Sequence, residues 1–199
     1  VATIPLVTSI PMLTGLGKRE LVPGKGVYYE HYTYFPFDEK FAVNSGKYLS
    51  RQDAEKIDDY ISSYNCSIKK ISGHYNSVHK KKNGREPYHV VDMAEIFNTI
   101  AWQRNDGHPT YSFAESWKTW PHFPDARYYH ADENGNVVRG GLFTLDGIHP
   151  SAIGHGLIAS EFRKVMEKSG VVFKHQIDWN RIRSTDTLYE KPITLMQEL

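Results

Sequence analysis

Asp146 and His149 stand three residues apart in Thr144-Leu145-Asp146-Gly147-Ile148-His149-Pro150-Ser151, just ahead of an amphipathic stretch. A carboxylate at that spacing can turn back on an imidazole and accept its Nδ1 proton, which leaves Nε2 as a general base. Pro150 suits a first helical turn and would fix the chain direction after the histidine, and Ser151 can cap the helix. The same residues also suit a plain loop end, since Asp and Gly are common in turns. Spacing alone leaves both readings open.

Two aromatic clusters are the other candidates. One is Tyr28, Tyr29, Tyr32, Tyr34, Phe35 and Phe37; the other is Trp117-Lys118-Thr119-Trp120-Pro121-His122. Tyr32, Tyr34, Trp117 and Trp120 are candidate substrate contacts, because aromatic faces suit acylated sugars or aryl esters. Packing of the loops on themselves is the competing reading. Gly15-Leu16-Gly17-Lys18-Arg19 lacks the spacing of a phosphate loop. His74 and His79 are five apart, and His108, His122 and His130 are scattered, so none forms a helical zinc pair. His155 reads as structural, and Lys80 to Lys82 read as a solvated helix end.

The elements that must position the pair follow from periodicity. Val1-Ala2-Thr3-Ile4-Pro5 reads as a short strand and Tyr88 to Asp92 as a buried one. Ser50 and Asp53 have capping spacing, and Ile57, Tyr60, Ile61, Tyr64, Ile68 and Ile71 recur at helical spacing toward a stop at Asn83-Gly84. Further helices are expected over 93–103 and over 151–168, and a last strand over 171–173. Residues 6–48 and 104–145 read as long loops, with turns at Asn134-Gly135 and Gly140-Gly141. The tail 180–199 carries no clear pattern. Strands alternating with helices predict an α/β chain with a parallel sheet. Two strands do not complete such a sheet, so the chain reads as one domain that is a C-terminal portion of a larger α/β unit.

The string Asp146-Gly147-Ile148-His149-Pro150-Ser151, with Gly154-His155 and the helix beyond, resembles the last conserved block of the SGNH (GDSL-type) hydrolases. That resemblance implies a three-layer α/β/α sandwich with a parallel sheet. It makes His149 the general base and Asp146 its orienting partner in a Ser-His-Asp triad. It also implies an ester substrate, carbohydrate acetates among them, with no metal or organic cofactor. Val1 to Pro5 resembles the family's fourth strand and Tyr88 to Asp92 its fifth. The family's Gly-Asp-Ser block and its Gly-x-Asn-Asp oxyanion block are absent. The expectation is an esterase whose nucleophile lies before Val1, so that the 199 residues alone are inactive. A degenerate member acting as a carbohydrate- or protein-binding module through its aromatic loops is the alternative. An open sheet edge would then be covered by the missing half or by a second copy. A secreted or periplasmic location is implied by the resemblance alone.

Composition narrows the classes. Of 199 residues, 40% are hydrophobic and 24% charged, and the net charge is +1. This excludes collagenous and disordered classes, and so small a basic excess argues against a nucleic-acid partner. No apolar run reaches the roughly 18 residues of a membrane span. The single cysteine, Cys66, excludes an internal disulfide framework and a cysteine zinc site.

Overall fold

Helix starts here are set by side chains that take up unpaired backbone donors. Asp38, Ser50, Ser151 and Asp178 each accept from the N–H three residues further on, so each marks an N-terminus. In chain order the helices are α1 (Glu39–Ser45), α2 (Arg51–Asn83), α3 (Met93–Ile100), α4 (Ala152–Lys168), α5 (Trp179–Thr185) and α6 (Thr187–Glu190). The 33-residue α2 ends at Gly84, which adopts φ +67° and donates to the Lys80 carbonyl. The computed structural model describes residues 1–34, 37–121, 124, 129–131, 137–144 and 146–190. Phe35, His122, Asn134-Gly135, Leu145 and the tail 191–199 lie outside the described residues, and so does the side chain of His130.

The expected parallel sheet is not what forms. The strands β1 (Leu13–Val22), β2 (Gly26–Tyr34) and β3 (Leu49–Ser50) make an antiparallel sheet in that order, and β4 (Tyr129–Ala131) pairs antiparallel with β5 (Val137–Gly140). The two segments expected to be parallel strands meet in a single bridge, Ala2 with Val91. There Val91 N–H donates to the Val1 carbonyl at 2.8 Å, and Thr3 N–H donates to Val91 at 3.1 Å.

The ladder stops where Met93 N–H turns back to the Val91 carbonyl at 2.9 Å and α3 begins, and α2 takes up backbone groups that face away from the bridge. Asn65 bonds both the N–H and the C=O of Ile4, at 2.8 and 2.7 Å. Asn76 does the same to Tyr88, at 2.9 and 2.6 Å. Two asparagines eleven residues apart lie about three helical turns apart on one face, so α2 occupies the hydrogen-bonding groups that a parallel neighbour would need. The α/β/α sandwich around a parallel sheet is therefore corrected to a helix-rich chain with small antiparallel sheets.

The expected loop over 6–48 is likewise mostly the β1–β2 hairpin with α1. Val27 beside Tyr28 and Tyr32 beside Thr33 are buried as adjacent pairs, which removes the alternation by which a half-buried strand is read. A register shift between Leu16 and Arg19 breaks it further. The stretch 171–173 forms no strand. The tail from 180 is helical as far as Glu190, in α5 and α6.

The main core joins Val91, Met93, Phe97 and Ile100 to Trp117, Trp120, Leu142, Phe143, Ile153, Leu157 and Tyr189. A second, small cluster holds Tyr28, Tyr32 and Ala54. Between the two lies a buried polar lock. Asp58 Oδ2 accepts from Thr8 Oγ1, from Tyr28 Oη at 2.8 Å and from Arg104 Nη1 at 3.2 Å. Arg104 also donates to Thr8 and to the Lys25 carbonyl, and its guanidinium sits 4.8 Å from the Tyr28 ring centre. Burial pushes the Tyr28 phenol up to about 12.

One helical face differs from its expectation. Tyr60, Tyr64 and Ile71 recur at core spacing, yet they are exposed, while Ala54, Asp58, Asn65 and Ser72 form the buried side of α2. No helix among the described residues is long and apolar enough to cross a membrane.

Candidate functional site

The Asp146–His149 loop is closed at its base by backbone pairing. Phe143 and Pro150 form an antiparallel bridge, Thr144 N–H donates to His149 at 2.7 Å, and Ser151 N–H donates to Leu142 at 2.9 Å. Pro150 thus lies just before the cap, rather than in the first turn of α4. Inside the loop, Asp146 Oδ1 accepts from Thr144 Oγ1 at 2.8 Å and from the N–H groups of Ile148 and His149, both at 2.9 Å. Asp146 Oδ2 faces His149 Nδ1 across a short hydrogen bond.

An ionised carboxylate only accepts, so Nδ1 carries the proton and Nε2 presents its lone pair. Among the described residues Nε2 has no hydrogen-bond partner, and the His149 side chain is 74% exposed. The arrangement is a histidine held in one tautomer and pointed at solvent. It can take a proton from an incoming hydroxyl or water.

Gly147 makes the turn. It sits at φ +69°, where glycine is favoured, and a Cβ there would lie 2.8 Å from Met12 Cα and N. The loop therefore rests against the chain just before β1. Gly154 on α4 approaches as closely: a Cβ there would come within 2.1 Å of the Leu142 carbonyl. Gly147 thus seats the loop against the Pro11–Met12 backbone, and Gly154 seats the start of α4 against Leu142.

The His149 hydrogen bond, aided by the three other donors, holds the Asp146 carboxyl well below the usual carboxylate range. A lowered folded-state pKa stabilises the loop above the unfolded value of about 3.9, and that contribution is lost as pH falls through the folded value. A carboxyl ¹³C titration of Asp146 should therefore show a midpoint below about 3.9. A midpoint at or above that value would mean that the four donors do not hold in solution.

The aromatic candidates do not join this pair. Trp117 and Trp120 are buried in the main core, stacked at 5.1 Å between ring centres and packed against Trp179 and Tyr189. Tyr32 is buried in the second cluster, where its hydroxyl accepts from Tyr29 N–H at 3.0 Å. Tyr34 alone of the four is exposed, at the end of β2. Composition does not separate a binding face from a core, so the sequence leaves both readings of these aromatic stretches open. Trp117 also borders a cavity of about 250 Å³ with Tyr111, Phe113, Leu157, Lys164 and Trp179. Thr144 was not singled out as a donor to Asp146, although a hydroxyl two residues before an Asp is the available signal. Among the described residues no group of three or more His, Cys, Asp or Glu is placed to hold a metal ion. No family model, curated protein or solved structure matches this chain.

Proposed function

We propose that the chain supplies the general-base half of a serine ester-hydrolase site, with His149 as the base and Asp146 as its orienting partner. The observation that carries this reading is the short Asp146–His149 Nδ1 contact on a carboxylate already fixed by three other donors. In the reaction a serine Oγ attacks the ester carbonyl while Nε2 takes its proton. The imidazolium returns that proton to the leaving alcohol, and water then cleaves the acyl-serine by the same path. Asp146 stabilises the imidazolium and holds the ring in place. The sequence holds no Gly-Asp-Ser block, so this reading takes the attacking serine from a segment outside these 199 residues.

The test has two arms. In the natural polypeptide that carries this chain, His149→Ala should lower kcat for short-chain aryl acetates by roughly 10²–10⁴-fold with little change in KM. Absence of ester hydrolysis in the unaltered polypeptide, or hydrolysis unaffected by His149→Ala, overturns the reading. In the second arm, intact-mass spectrometry after fluorophosphonate treatment should show no adduct on the 22.9 kDa chain. An adduct would place the nucleophile within it.

A further inference from the structure

Five large apolar side chains of α2 face solvent: Tyr60, Tyr64, Ile71, Tyr75 and Val78, between 36% and 67% exposed. At 3.6 residues per turn they fall within about 60° of arc and form a stripe about 27 Å long. Such a stripe on an otherwise polar helix is what a docking face looks like.

The order of residues along the stripe points to its occupant. Lay a second α2 antiparallel across it, with the two-fold axis between Ser67 and Ile68. Tyr60 then meets Tyr75, Tyr64 meets Ile71, and the half-buried Ile57 meets Val78. The register continues to the ends of the helix, where the exposed Asp53 of one copy comes opposite the exposed Lys82 of the other. Both charges lie in the same arc as the apolar stripe. A small residue, Ser67, sits at the crossing point, where two helices approach most closely. Parallel pairing would set Asp53 against Asp53 and Lys82 against Lys82.

We infer that this face is a self-complementary, antiparallel interface with a second copy of this chain. A two-fold contact requires that each residue's partner find the reciprocal partner across the axis, and this stripe reads the same from both ends. The size is adequate for a weak dimer. Taking roughly 200 Å² for each side chain, the exposed parts of the five residues amount to roughly 1,000 Å² over two copies, the lower bound for a specific interface.

Sedimentation over a concentration series should show a monomer–dimer equilibrium in the micromolar range. Ile71→Asp, at an exposed position, should weaken it at least tenfold while circular dichroism is unchanged. Orientation is read by cross-linking. Cys66 is exposed and lies well off the stripe, so it is first replaced by serine. In that background Ser67→Cys should form an intermolecular disulfide on mild oxidation, and Tyr60→Cys should not, because its two copies lie about 22 Å apart along the axis. A monomer at all concentrations leaves the stripe to another occupant and overturns the inference. A dimer indifferent to Ile71→Asp, or one cross-linked through residue 60 but not 67, overturns it equally.

Discussion

Asp146→Asn should, on the proposed esterase reading, lower ester turnover by about 10⁴-fold while leaving the fold intact. The size follows from what the carboxylate does to the ring. Asp146 Oδ2 accepts from Nδ1, which forces the lone pair onto Nε2. An asparagine amide presents an N–H₂ group as readily as an oxygen, and its amide donating to Nδ1 would put the proton on Nε2, where the base is needed. The imidazolium formed during attack would also lose its counter-charge. Asp146 Oδ1 already takes the Ile148 and His149 amides and the Thr144 hydroxyl. The asparagine oxygen can keep those three bonds, so its amide nitrogen is directed at the ring. The loop should therefore hold its shape with the wrong tautomer. Steady-state kinetics on the natural polypeptide gives the activity, and ¹⁵N shifts of His149 give the tautomer. Unchanged turnover with Nδ1 deprotonated would remove Asp146 from the chemistry.

The second large effect is on stability. Asp58→Ala should cost about 3–5 kcal/mol, read as a lower urea midpoint at unchanged slope. The Asp58 and Arg104 side chains are only 2% and 4% exposed, so removing the carboxylate leaves a guanidinium in the interior without its counter-charge. Thr8 and Tyr28 lose their common acceptor at the same time. These partners come from four separate stretches: the segment before β1, β2, α2 and the turn after α3. Loss of the lock should therefore loosen the hairpin and α2 together. The double variant Asp58→Leu with Arg104→Met should recover only the part due to the unpaired guanidinium, because Thr8, Tyr28 and the Lys25 carbonyl still lack these partners. A loss under about 1 kcal/mol for Asp58→Ala would mean that water reaches the lock.

What could be read in the residues follows the range of the interactions. The Asp146–His149 pair, the Ser50 and Ser151 caps and the Gly84 stop each depend on neighbours within four positions. The parallel sheet was expected from two apolar stretches, and that expectation had no means of seeing Asn65 and Asn76. These polar residues on the intervening helix take the backbone groups of Ile4 and Tyr88. The Asp58 lock was invisible for the same reason, since Thr8 and Arg104 are 96 positions apart. In β1 the run Gly17-Lys18-Arg19-Glu20 carries no strand alternation, and only pairing with β2 makes it one. The spacing of Tyr60, Tyr64 and Ile71 was correctly helical, but period alone does not say which way a face turns.

The loop from Phe143 to Pro150 encloses every donor and acceptor that sets the histidine's tautomer. Closing so short a segment costs little chain entropy, and it does not wait for distant parts of the molecule to assemble. Outside it, the Pro11–Met12 backbone lies close enough to demand glycine at 147, and Phe143 anchors the loop in the main core. The basic nitrogen is thus a portable cassette. Under the proposed hydrolase reading, changes elsewhere in the fold could move it relative to the nucleophile, and so alter rate and selectivity, without retuning the base itself.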